Sequence, residues 1–163
     1  MRTMRVWKRV LFTGGLVVAL LTASLSPSSA FLDKTRFATH LGVAYFCFHH
    51  WVLNPYRQGD FSAGAPHRTK AMIKGGAALL FAYHEVKVSA KIARLSKDPL
   101  LQKLSGGMAG LMTSFGDVGG RLKSGHFSPQ DIESLKSATD SVESTATAGG
   151  RPINDVPVPV PGT

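Results

Sequence analysis

The residues best able to do chemistry crowd into one stretch of the chain: His40, Cys47, His49 and His50, with His84 further on. Imidazole nitrogen and thiolate sulfur are ligands for zinc, copper and haem iron. At 100° per residue on a helix, His40, Cys47 and His50 fall within about 80° of one another. Cys47-x-x-His50 has a one-turn spacing, so His40, Cys47 and His50 are the candidate ligands of a metal ion or haem. The same residues also suit a plain core, with histidines bonded to backbone and Cys47 an inert thiol between Phe46 and Phe48. Cys47 is the only cysteine, which rules out an intramolecular disulfide.

Catalytic patterns are scarce. His84-Glu85 would open a zinc-protease helix, but the second ligand position is occupied by Val88. Gly106-Gly107-x-x-Gly110 lacks the Lys-Ser/Thr of a phosphate-binding loop and follows no strand. A hydrolase would have to rest on His49 or His84 with Asp60 or Glu85. No catalytic residue is assigned, and the chain is not expected to be an enzyme.

A second kind of chemistry is electrostatic. Lys87, Lys91 and Arg94 fall at i, i+4 and i+7, which aligns them as a basic ridge on one side of a helix. The formal net charge of the 163 residues is +9, and Arg2, Arg5, Lys8 and Arg9 account for four of those charges. Beyond the first thirty residues the balance is uneven: residues 31–127 are strongly basic, and residues 128–163 are mildly acidic. A basic body points to anionic surroundings such as phospholipid headgroups or acidic wall polymers. Lys87, Lys91 and Arg94 are therefore the candidate partner-binding residues, the partner being an anionic envelope component or another envelope protein.

Elements to position these groups are legible as helices. Residues 33–54 carry Phe37, Leu41, Ala44, Tyr45, Phe48, Trp51 and Val52 at three- and four-residue spacing. Asp33 is the expected N-cap of this helix, and Asn54-Pro55 the expected stop. A turn-rich loop should follow over residues 55–65. A long helix is expected from about Pro66 to Ser96, with Met72, Gly76, Leu79, Tyr83, Val86, Ala90 and Ala93 as its main stripe. His84 is expected on an apolar face with Leu80 and Val88, as a packed imidazole. Asp98-Pro99 restarts a helix, with aspartate as cap and proline at the first position. Leu101, Leu104, Met108, Leu111, Phe115, Val118 and Leu122 then form a continuous apolar seam. Six glycines between Gly106 and Gly120 oppose it, each costing about 1 kcal/mol relative to alanine. The seam predicts helix as far as Phe115 and leaves a break near residues 116–120 open. Ser128-Pro129 opens a last helix with a weak apolar stripe.

The reading is thus an all-α chain, a small bundle of about four helices over residues 31–147. Residues 148–163, rich in alternating valine and proline, are expected to form a disordered polyproline-like tail. The first thirty residues have the form of a secretory signal: a basic start, an apolar run over Leu11–Leu21, and small residues at Ser28-Ser29-Ala30. Cleavage is expected between Ala30 and Phe31, and the absence of a cysteine there excludes a lipoprotein. An exported protein seldom meets nucleic acid, so none is expected as partner, nor is a membrane span in the mature chain. The favoured function is a non-catalytic binding module at the cell envelope with no cofactor. The alternative is a small helical carrier of a metal ion or haem.

Overall fold

A computed structural model describes residues 29–160, so the expected leader lies outside the described residues except for Ser29 and Ala30. Helices make up the described fold: α1 Ser29–Phe48, α2 Asn54–Gln58, α3 Arg68–Leu95, α4 Pro99–Ser124 and α5 Pro129–Ala148, with no strand among the described residues. None of these helices is long and apolar enough to cross a membrane.

The four long helices run alternately up and down. The pairs Ser89–Phe37 and Gly75–Trp51 set α3 antiparallel to α1, and Tyr83–Gly116 and Gly76–Lys123 set α4 antiparallel to α3. Gly107 meets Val142 across α4 and α5. The ring closes between α5 and α1, where the buried Tyr45 hydroxyl donates to the Thr139 carbonyl at 2.7 Å. Burial, and then the charges of Glu143 and Asp140, hold that phenol well above its ordinary pKa.

The seam of α4 packs as its spacing predicts, with all seven residues from Leu101 to Leu122 buried in the core. The helix continues through the glycines to Ser124. One of them, Gly119, sits where α4 crosses Gly76 of α3. A β-carbon on Gly76 would lie 2.7 Å from the Lys123 backbone nitrogen and 2.9 Å from the Gly119 carbonyl oxygen. One on Gly119 would lie 3.0 Å from the Leu79 β-carbon. Two helices therefore cross here at a separation that only glycine permits, and the contact offsets the low helix propensity.

Three sequence expectations need correction. Asp33 does not cap α1, because the helix is already formed at Ser29. Asn54-Pro55 does not stop the first helix either. Residues His49–Leu53 widen into a π-helical turn in which the Asn54 N–H donates to the His49 carbonyl, and α2 then runs on from Asn54 to Gln58. Proline has no N–H for an ordinary helical bond and its ring crowds the carbonyl four residues back, here that of Trp51. The wide turn relieves that clash. Trp51 carbonyl instead faces Gly75 of α3, whose β-carbon would sit 3.0 Å away. The chain finally turns at Gly59, left-handed at φ 82°, where Gly59 and Asp60 N–H groups cap the carbonyls of Tyr56 and Pro55.

The third correction concerns the tail. Residues 151–160 have no regular secondary structure, but they lie docked along α1 rather than disordered. The Arg151 guanidinium sits over the Phe31 ring, Ile153 is buried beside Phe37 and Ala38, and the Val156 N–H donates to the Gly42 carbonyl at 3.0 Å. Asp155 pairs with His49. The segment therefore follows α1 in parallel from residue 31 towards residue 49. Gly42 is its seat: a β-carbon there would come within 2.3 Å of the Asn154 carbonyl oxygen. Residues 161–163 lie outside the described residues.

Candidate functional site: a basic groove on the outer face of α3

Of the charged residues in α3, Glu85 is the single acid, and it turns inward to α1, where its carboxylate meets His40 Nδ1 at 2.6 Å. The basic residues of the helix are left without acids on their own side. Lys87, Lys91 and Arg94, the three predicted from spacing, do line up on one exposed edge, and none is in an ion pair among the described residues. They rim a groove of about 330 Å³ together with His84. Val88 and Ala90 from α3, and Met112 from the neighbouring α4, complete its lining. Two features hold the rim in place. Ser89 and Ala93, on the other side of the helix, are fully buried, and the Ser89 hydroxyl donates to the Phe37 carbonyl. Near the C-terminus of α3 the carbonyl end of the helix favours Lys91 and Arg94.

His84 corrects an expectation. It is exposed on this rim, not packed on a core face. The apolar character of α3 runs further round the helix than the bundle can cover. The core takes Met72, Leu79, Val86 and Ala93, and Ile73, Leu80 and Leu95 are left outside. Met112 joins the groove from a different helix, so no spacing within α3 could have pointed to it.

The histidine and cysteine cluster does not converge on a common point. His40 is engaged by Glu85, whereas Cys47 is fully buried. Burial first, then the nearby charges of Glu85 and Asp155, push the Cys47 thiol up to about 12. His50 is exposed, stacked on Phe46 with ring centroids 5.1 Å apart and edge-on to Trp51. The one-turn spacing of Cys47 and His50 thus joins a core position to a surface one. Among the described residues no group of three His, Cys, Asp or Glu side chains could hold a metal ion.

His49 pairs with Asp155 at 2.9 Å, and Asp60 takes no part in either histidine–carboxylate pair. No hydroxyl or thiol hydrogen-bonds to the His40 or His49 imidazole among the described residues. A nucleophile–base–acid relay needs that contact, so neither pair has the elements of one.

What the groove can do is bind negative charge. Three cationic side chains within two helical turns, with no internal acid to neutralise them, create a local positive potential. Comparison with protein-family models, with curated proteins and with solved structures finds no match to this chain.

Proposed function

We propose that this chain is an exported, non-catalytic interaction module that attaches to an anionic component of the cell envelope through the basic groove of α3. One observation carries the reading: Lys87, Lys91 and Arg94 line a common groove and have no ion-pair partner among the described residues. A merely solubilising surface would intersperse both signs of charge, as α5 does in its Lys136–Asp140 pair. Export rests on the leader-like first thirty residues, whose removal would leave Phe31 as the mature N-terminus.

Lysine modification with an amine-reactive reagent tests the surface. With vesicles containing anionic phospholipid, Lys87 and Lys91 should be protected, and Lys136 on α5 should react as it does without vesicles. Equal modification of all three with and without vesicles would refute the assignment.

A further inference from the structure

The outer edge of α3 carries more than charge. The large apolar side chains left exposed in the described fold are Phe31, Leu32, Ile73, Leu80 and Leu95, at 52, 48, 48, 37 and 70% exposure. Three of these five lie on α3. Setting Lys91 as origin at 100° per residue, Ile73 falls at about 0°, Leu80 at about −20° and Leu95 at about 40°. Lys87 and Arg94 fall at about −40° and −60° on the same scale. Apolar and cationic residues are thus interleaved along one line, not segregated to opposite faces. Ile73 and Leu95 are about 33 Å apart along a straight helix. Phe31 and Leu32 lie at the end of the bundle that carries Leu95, because α1 runs antiparallel to α3.

We propose that this edge of α3 is an interfacial membrane-binding face, in which Leu80 and Leu95 enter the headgroup layer of an anionic phospholipid bilayer while Lys87, Lys91 and Arg94 hold its phosphates. The proposal rests on the anion-binding reading above and names the surface. A straight row of exposed apolar and basic side chains matches a plane that is anionic outside and apolar a few ångströms below. A wall polyanion would satisfy the cations but offer nothing to Leu80 and Leu95. A second copy of the chain fits less well. Two basic edges repel, and the surface of α5 around Asp140 and Glu143, where Asp140 already pairs with Lys136, has no exposed large apolar residue to meet them.

The test uses mature protein and vesicles of 30% phosphatidylglycerol in phosphatidylcholine, with binding read by sedimentation. Replacing Leu80→Ser and Leu95→Ser together should weaken binding by roughly tenfold or more, with helical content retained and the unfolding midpoint lowered only through the part of Leu80 that its neighbours cover. Binding to inorganic polyphosphate should be the same for this variant and the wild type. If the serine variant binds vesicles like the wild type while Lys87→Gln/Lys91→Gln/Arg94→Gln does not, insertion is refuted and the anion-binding reading stands. If both variants bind like the wild type, both readings fall. A second readout needs no loss of affinity. Because Cys47 is fully buried, Leu95→Cys directs a polarity-sensitive fluorophore to position 95. Its emission should shift to the blue on anionic vesicles, and an unshifted spectrum with vesicle-bound protein would overturn insertion.

Discussion

Substituting Gly42→Ala should change sign in its effect on stability when the docked tail is removed. All three atoms nearest to the added β-carbon belong to the tail: the Asn154 carbonyl oxygen at 2.3 Å, Val156 Cγ2 at 2.8 Å and the Asn154 carbonyl carbon at 3.5 Å. Neither carbonyl atom can rotate away, so the tail must lift. Lifting breaks the bond from the Val156 N–H to the Gly42 carbonyl, worth about 1 kcal/mol. It also uncovers part of Ile153 and its valine neighbours, about another 1–2 kcal/mol. Against this, alanine in place of glycine favours α1 by about 1 kcal/mol. The full chain should therefore lose about 1–2 kcal/mol.

A chain ending at Arg151 should instead gain up to about 1 kcal/mol from the same substitution. That end point keeps the cap of α5, where Gly150 is left-handed and the Arg151 N–H donates to the Ala146 carbonyl. Urea unfolding followed by circular dichroism gives the four free energies of the cycle. Amide exchange at Val156 should be slow in the wild type and fast in full-length Gly42→Ala. The same sign of effect in both chain lengths would refute the docking of the tail on Gly42.

Two further outcomes follow from the helix ends and crossings. Asp98 caps α4 by accepting from the Leu100 and Leu101 N–H groups, and its carboxylate meets Lys34 at 2.7 Å. Burial alone would raise its pKa, but the hydrogen bonds and charge of Lys34 and the backbone N–H groups prevail and hold it below the usual carboxylate range. A depressed folded pKa contributes stability that is complete above the unfolded value near 3.9 and is lost as pH falls through the folded value. The stability advantage of wild type over Asp98→Asn should thus be constant from neutral pH to about 5 and vanish at more acid pH; an undiminished gap at pH 2, by thermal or urea unfolding, would contradict the ion pair. Gly76→Ala should cost about 1–3 kcal/mol because the β-carbon meets the backbone of α4. Gly110→Ala, with nothing within 4 Å of its β-carbon, should add up to about 1 kcal/mol, and equal effects in urea unfolding would argue against the close crossing.

The four long helices were legible because their periodicity is set by burial along one face, which a single sequence displays. The α4 seam is the clearest case: its burial carries the helix through six glycines, of which Gly119 sits at the close crossing with α3. Pro55 misled for a local reason: a proline normally ends a helix, but widening the preceding turn satisfies it while the chain stays helical. The tail misled for a long-range one. Nothing near Val156 in sequence indicates that Gly42, more than a hundred residues earlier, has left room for it. The same limit governs the site. Lys87, Lys91 and Arg94 could be read from spacing within one helix. The exposure of His84 and Leu80, the place of Met112 in the groove lining and the separation of Cys47 from His50 depend on which face of each helix its neighbours cover.

Attachment of the proposed α3 edge to an anionic surface is decided by one affinity comparison. Binding of mature protein to vesicles of 30% phosphatidylglycerol should be measured beside Lys87→Gln/Lys91→Gln/Arg94→Gln at low salt. Each basic residue near such a surface is worth about 1 kcal/mol, so the triple variant should bind on the order of 100-fold more weakly. Wild-type binding should itself decline as salt shortens the screening length. Equal affinities for the two proteins would rule out attachment through Lys87, Lys91 and Arg94.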